Sequence, residues 1–226
     1  IYPVGLSNPV FQTGSRLVSN DEILANFPEY NADDIIRRTG IGQRYWLADG
    51  ESIIDIAAQS VKTAFANKQL GLSDIDLIIC ATCSPEKYQS PSMACLIMEK
   101  LYASYGEQRI PAYDINAACS GYIYALQNAR DYLLTRPNAR VLIVTAESMS
   151  QRLRKTDFGT AFIFGDAVST TILYGNNHLD KADAVLDQIC LSALAENGAV
   201  VNIPLAVSDG IYMQGKRLFT VAVKNM

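Results

Sequence analysis

Three short apolar runs, Ile75–Thr82, Ile110–Asn116 and Ala139–Ala146, alternate along the chain with stretches whose apolar residues recur at helical spacing. That alternation argues against an all-helical bundle or a β-sandwich and predicts an α/β architecture. Ile75–Thr82 and Ala139–Ala146 are rich in β-branched residues and nearly free of polar ones, as strands covered on both faces must be. Ile54, Ala57, Val61 and Phe65 mark one helix face, with Ser52 and Asp55 as a capping pair and Gly71 as the stop. Ser90-Pro91 fits an N-cap followed by proline at the first helical position, opening a helix toward Tyr105. Tyr122, Leu126, Ala129 and Leu133 mark another helix, ended by Pro137, and Ala167–Tyr174 reads as a fourth strand. Strand, crossover helix and strand in repetition imply right-handed parallel units, with helices on both faces of the sheet.

The last stretch reads differently. Asn176–Ala182 has the composition of a polar linker, and Ala184–Ala195 and Val200–Pro204 fit either edge strands or an excursion. Gln214–Met226 begins an amphipathic helix with Leu218, Val221 and Val223 inward and no stop signal. The expected division is therefore 1–175 as one half of a larger architecture. Residues 176–226 are expected to hold the linker, edge strands and first helix leading to a C-terminal half outside the chain.

Composition narrows the function. The 226 residues are 49% hydrophobic and 19% charged, which is ample side chain for a core and excludes disorder. Lys+Arg 19 against Asp+Glu 23 leaves a net charge of −4, with no basic excess for a nucleic-acid partner. Apolar runs such as Leu77–Ala81 fall far short of the ~18 residues of a membrane span, so no membrane partner is expected. Five cysteines, unevenly spaced, do not form a secreted disulfide framework, and Ile1–Gly5 does not read as a signal peptide. A cytoplasmic setting is the expectation. The only histidine, His178, removes most His-based catalytic and metal schemes, and neither metal nor cofactor is called for.

Cys119 carries the most information. It lies in Asp114-Ile115-Asn116-Ala117-Ala118-Cys119-Ser120-Gly121, where a strand ends and a helix starts. A thiol on the first turn of a helix meets unpaired N–H groups and the positive end of the dipole, a setting that favours a thiolate. Small neighbours leave room for a substrate at the sulfur, and nearby N–H groups could hold an oxyanion. The alternative is a small buried hydrophobe; the strand-to-helix position and the Ala-Ala-Cys-Ser-Gly surroundings favour the nucleophile. Cys80-x-x-Cys83 lacks the second pair that zinc would need, and both are read as packing residues. Cys95 and Cys190 sit among apolar residues and are expected in the core. Gly40-Ile41-Gly42 lacks the third glycine of a dinucleotide fingerprint and reads as a turn. Phe164-Gly165-Asp166-Ala167 reads as a tight turn with a satisfied Asp, placed where it could also come near a site.

Together these segments resemble the N-terminal half of a β-ketoacyl-acyl carrier protein synthase III, of the thiolase superfamily. The matching stretches fall in order: Val18-Ser19-Asn20-Asp21-Glu22, Arg38-Thr39-Gly40-Ile41, Pro91-Ser92-x-Ala94-Cys95 and Asn116–Gly121. Thr156-Asp157-x-Gly159-Thr160, Phe164-Gly165-Asp166 and Tyr212-Met213-x-Gly215-Lys216 running into Phe219-x-Val221-Ala222-Val223 complete the set. The resemblance implies a mixed, mostly parallel sheet with helices on both faces, one half of the full αβαβα architecture, in a homodimer joined at the sheet edge.

It further implies acyl transfer from a thioester, on acyl carrier protein or coenzyme A, to Cys119, followed by condensation with a malonyl-type thioester in fatty acid or polyketide-type biosynthesis. The family's enolate-stabilising His and Asn come from the C-terminal half, and His178 matches neither. Family members clamp adenine between a Trp and an Arg at the positions of Asp34 and Phe158 here. This change weakens the expectation for coenzyme A and strengthens that for a carrier-protein phosphopantetheine or another thioester. Arg38 could meet a phosphate. Ser90 stands where some relatives place a Phe that closes the partner subunit's acyl pocket, so a wider pocket and a simple helix cap are both open readings. Two alternatives accompany this one. A 3-hydroxy-3-methylglutaryl-CoA synthase-like enzyme would need a Glu as acid/base, for which Glu51 is the nearest candidate, and a non-catalytic ketosynthase partner subunit would have no use for Cys119.

Overall fold

The structure, a computed structural model, describes residues 2–154, 156–193, 200–204 and 207–225. In chain order the first elements are β1 (Val4–Leu6), β2 (Val10–Thr13), β3 (Arg16–Ser19), α1 (Asn20–Leu24), α2 (Ala32–Thr39) and β4 (Gln43–Trp46). Next come α3 (Ile53–Lys68), β5 (Leu77–Ala81), α4 (Met93–Tyr105), β6 (Ala112–Ile115), α5 (Gly121–Leu134) and β7 (Arg140–Ser148). The remainder are α6 (Phe158–Ala161), β8 (Asp166–Tyr174), β9 (Ala184–Leu186), β10 (Val201–Asn202), β11 (Tyr212–Met213) and α7 (Gly215–Asn225). These elements gather into two compact units that interleave along the chain, one of 1–13, 50–147 and 167–191, the other of 14–49, 148–166 and 192–226.

The first unit is built on a mixed sheet in the order β6-β5-β7-β8-β1-β9, with β2 also paired to β8. β5 runs parallel to both β6 and β7, whereas β1 is antiparallel to β8 and β9. All five residues of β5 are buried because helices cover both of its faces. Leu77, Ile79 and Ala81 alternate toward α5, where they meet Ala125, Leu126, Ala129 and Leu133. Each fully buried leucine of that contact contributes about 1.5–3 kcal/mol. α3 and α4 serve the other face: the Ser60 hydroxyl of α3 lies 2.8 Å from Thr170, while Tyr122 of α5 lies 3.2 Å from Thr171 one residue on. β9 is an edge strand, so the early part of Ala184–Ala195 joins the sheet; Leu194 and Ala195 lie outside the described residues. The expected linker is a run of tight turns over Asn176–Lys181, with His178 Nε2 3.0 Å from the Asn138 carbonyl.

The second unit pairs β3 with β4 and packs α1, α2 and α6 around Val18, Ile23, Phe27, Ile35 and Phe162. Buried Arg44 ties it together, donating to the carbonyls of Val18 (3.2 Å) and Phe162 (2.9 Å) and to Asn20 Oδ1. Burial lowers the pKa of that guanidinium. β10 and β11 form a short antiparallel pair, so part of Val200–Pro204 is a strand. In α7, Leu218 and Val221 are half-buried as expected, but Val223 is 58% exposed and Met226 lies outside the described residues.

Several local expectations are corrected. The cap of α4 is Ser92, whose Oγ accepts from Cys95 N at 3.2 Å; Ser90 lies two residues earlier, exposed and outside the helix. α3 ends on Gln69 in the left-handed conformation (φ 53°), and Gly71 instead opens the following turn. Cys95 and Cys190 are exposed rather than in the core, since the buried face of α4 is Met93, Ala94, Ile97 and Leu101. Among the described residues no helix is long and apolar enough to cross a membrane.

Candidate active site

The site is assembled at the ends of the parallel strands. β6 leads through Asn116 and Ala117 into a tight turn at Ala118–Ser120, from which α5 starts directly at Gly121. Ala118 has φ 44°, a left-handed conformation that costs a residue with a Cβ roughly 1–2 kcal/mol. Ser120 N bonds to the Ala117 carbonyl at 3.0 Å, which closes the turn and presents Cys119 to solvent. The chain can return so sharply because Gly121 has no side chain: a Cβ there would stand 3.4 Å from Cβ of Ala81 in β5. The Cys119 N–H has no acceptor among the described residues, so it is available to an incoming oxyanion. Cys80 is buried and Cys83 half-buried, and burial raises the Cys80 thiol well above its ordinary value, with Asp114 and Glu147 adding to the effect.

Two carboxylates that the sequence reading did not single out hold this end of the sheet in place. Asp114, on β6, accepts from Met93 N (2.6 Å) and Ala94 N (2.9 Å) and so fixes the first turn of α4 to the strand before Cys119. Desolvation raises the Asp114 pKa, and the two N–H groups oppose that rise. Glu147, near the end of β7, accepts from Cys83 N at 2.9 Å and from the hydroxyls of Thr82 and Ser84. A third acid, Glu86, accepts from Ser52 Oγ (2.8 Å) and Ile54 N (3.1 Å) at the start of α3. Glu51, the acid/base candidate, stands one residue before the Ser52 cap.

The other candidates are placed as follows. Ser90 is exposed in the segment between β5 and α4, and α4 packs beside the edge strand β6. Arg38 belongs to the second unit, exposed in the last turn of α2, where its charge suits the helix dipole. Asp34 in the first turn of that helix pairs with Arg37 and accepts from Asn31 Nδ2 at 2.9 Å. Phe158 stacks on Tyr30 with ring centroids 3.6 Å apart and an interplanar angle of 7°. Asp157 caps α6, accepting from Gly159 N (2.9 Å) and Thr160 Oγ1 (2.8 Å). Asp166 is buried and accepts from Leu47 N, Ser150 N and Ser150 Oγ at 2.5–2.8 Å, the satisfied carboxylate expected of its motif. No group of three or more metal-ligating side chains occurs among the described residues.

A mixed sheet between helix layers, with an exposed cysteine on a strained turn between a strand and its following helix, defines a thiolase-type half-domain. Residues 113–188 match the family model described as 3-oxoacyl-[acyl-carrier-protein (ACP)] synthase III. The β-ketoacyl-[acyl-carrier-protein] synthase III of Nitratidesulfovibrio vulgaris strain DP4 is 32% identical over 223 residues, covering 93% of this chain and 66% of that protein. The same-named protein of Rickettsia felis is 35% identical over 218 residues, covering 94% and 65%. The crystal structure of 3-oxoacyl-[acyl-carrier-protein] synthase III from Aquifex aeolicus VF5 superposes with a TM-score of 0.81 at 28% identity, covering 99% of this chain and 68% of that one. The chain belongs to the 3-oxoacyl-[acyl-carrier-protein] synthase III family of the thiolase superfamily, and it spans about two thirds of the length of these curated relatives.

Proposed function

We propose that the protein is an acyltransferase that takes an acyl group from a thioester onto Cys119 and passes it to a malonyl-type thioester in fatty acid or polyketide-type biosynthesis. The carrying observation is the Cys119 turn: an exposed thiol at the start of α5 beside its own uncommitted N–H. The Cys119 sulfur attacks the acyl carbonyl, the N–H steadies the oxyanion, and collapse expels the carrier thiol to leave an acyl-cysteine. Loss of CO₂ from the malonyl-type thioester then supplies the carbanion that attacks this acyl group and releases the Cys119 thiol. His178 is engaged by Asn138 and Arg140, so we assign the stabilisation of that carbanion to groups outside this chain.

The donor in this proposal is a carrier-protein phosphopantetheine in preference to coenzyme A. Asp34 and Phe158 have local partners, an ion pair to Arg37 and a ring stack on Tyr30, and neither is the Trp or Arg that forms the adenine clamp. Exposed Arg38 is available to a phosphate. We further propose a cytoplasmic homodimer joined at the open β6 edge, with Ser90 near that edge leaving the partner's acyl pocket wide. The five unbridged cysteines suit that compartment.

Incubating the protein with acyl-thioesters of increasing length tests the reading by intact mass and peptide mapping. The expected result is a single acyl adduct on Cys119, formed best with chains longer than acetyl and shortened in preference by Ser90→Phe. An adduct mainly on Cys80, Cys83, Cys95 or Cys190 overturns the nucleophile assignment. An unchanged length profile in Ser90→Phe overturns the role of Ser90.

A further inference from the structure

Cys119 is not the only thiol at this end of the sheet. β5 and β6 run parallel with Ala81 opposite Ile115, and the pairing continues one residue further, where Thr82 N bonds to the Ile115 carbonyl at 3.1 Å. That bond sets Thr82 beside Asn116, so Cys83 and Ala117 are the next residues along two neighbouring chains. The tight turn at Ala118–Ser120 carries the chain on from Ala117 through Cys119, and at Gly121 it lies back against Ala81. Cys119 is thus bracketed by two residues that each neighbour the end of β5. Both thiols therefore belong to the same end of the β5–β6 pair, and a disulfide requires their Cα atoms to come within ~4.4–6.8 Å. The turn that would carry Cys119 toward Cys83 is solvent-exposed at Asn116 and at Ala118–Ser120. The partner side is firmly held, since Glu147 binds the backbone of Cys83 and the hydroxyls on either side of it. Cys83 is half-buried and Cys119 exposed, so an oxidant reaches Cys119 first.

We propose that Cys83 is a resolving thiol for Cys119, so that hydroperoxides convert the pair reversibly to a disulfide that switches the nucleophile off. The Cys119 thiolate attacks one oxygen of hydrogen peroxide, the O–O bond breaks, and hydroxide leaves, which takes up a proton and becomes water. The sulfur is then a sulfenic acid, oxidised by two electrons. The Cys83 sulfur attacks it, the S–S bond forms, and the sulfenic oxygen departs as a second water carrying the Cys83 proton. A dithiol reductant returns both thiols. Without Cys83, further peroxide carries Cys119 to the irreversible sulfinic acid.

This inference rests on the reading of Cys119 as the reactive thiol, and the experiment separates the two. Iodoacetamide labelling of the reduced protein, with peptide mapping, reads that reactivity. Peroxide treatment followed by non-reducing mapping reads the bridge. The expected result is a Cys83–Cys119 cross-linked peptide two hydrogens lighter than the reduced pair, with full recovery of Cys119 labelling after dithiothreitol. Cys83→Ser should give sulfinic acid at Cys119 and no recovery. Labelling of Cys119 without that cross-link, or bridges confined to Cys95 and Cys190, overturns the proposal and leaves the nucleophile reading standing. Failure of Cys119 to label in the reduced protein overturns both.

Discussion

The turn at Asn116–Gly121 and the segment from Thr156 to Asp166 carry equally strong family motifs, yet their side chains are used in opposite ways. In the second, Asp157 satisfies Gly159 N and Thr160 Oγ1, Phe158 lies in an aromatic cluster, and Asp166 accepts three hydrogen bonds. In the first, Cys119 is exposed, its N–H has no acceptor among the described residues, and Ala118 sits in a left-handed conformation. A motif whose groups are all engaged internally is scaffold, whereas one with groups left uncommitted on a strained turn is where chemistry can occur.

The largest expected effect tests that contrast directly. Cys119→Ala should reduce acyl-adduct formation by about 10⁴-fold or more, while its unfolding free energy stays within about 0.5 kcal/mol of the parent because an exposed side chain is removed. Acyl-thioester labelling and urea denaturation on the same sample give both numbers, and a large stability loss would break the distinction. Asp166→Ala should do the reverse, stranding the buried N–H groups of Leu47 and Ser150 at a cost of about 3 kcal/mol. A urea midpoint unchanged by Asp166→Ala would show that the carboxylate is not structural.

Asp114 sharpens the comparison, because it lies between the two behaviours. Its folded-state pKa is raised above the ordinary carboxylate value of 3.8, chiefly by desolvation. The folded protein therefore holds this proton more tightly than the unfolded chain. The contribution is fully present at low pH and lost as pH rises from near 3.8 through the raised value. Asp114→Asn should remove that part of the pH dependence, flattening the stability–pH profile between the low-pH and neutral ends. Parallel stability–pH profiles for mutant and parent would contradict this. The smallest effect is expected at Lys68, whose ammonium pairs with Asp183 at 2.6 Å near the protein surface. Lys68→Ala should cost no more than about 0.5 kcal/mol, less in high salt. A larger loss in chemical denaturation would mark the β1–β9 edge as a cooperative part of the core.

Much of the sheet was legible because burial on both faces demands unbroken apolar runs: β5 and β7 fall inside Ile75–Thr82 and within two residues of Ala139–Ala146. Ser52 was legible as a cap because its spacing to Asp55 is local. Ser90 and Ser92 flank one proline, and either could satisfy a capping rule; only the three-dimensional return of Ser92 Oγ to Cys95 N decides between them. The apolar neighbours of Cys95 in sequence point to the core, but the spacing of Met93, Ile97 and Leu101 turns it outward. The Cys119 turn could be read from its small-residue surroundings. The positive φ of Ala118 could not, since alanine does not signal that conformation. Glu147 could not either, because its partners lie more than sixty residues away in sequence.

β1 pairs with β8 on one side and β9 on the other, so both partners of this strand are synthesised about 160 residues or more after it. At ~5–20 residues per second, that delay is on the order of 10–30 s on the ribosome. Throughout it Val4–Leu6 has neither ladder available, and closing both demands some of the longest loop closures in the chain. The sheet can zip through β6, β5 and β7 as each emerges, but it is sealed only when β1 is captured by two strands made long after it. Chaperone dependence and aggregation during synthesis should accordingly follow the wait for β8 and β9 rather than the intrinsic stability of the finished core.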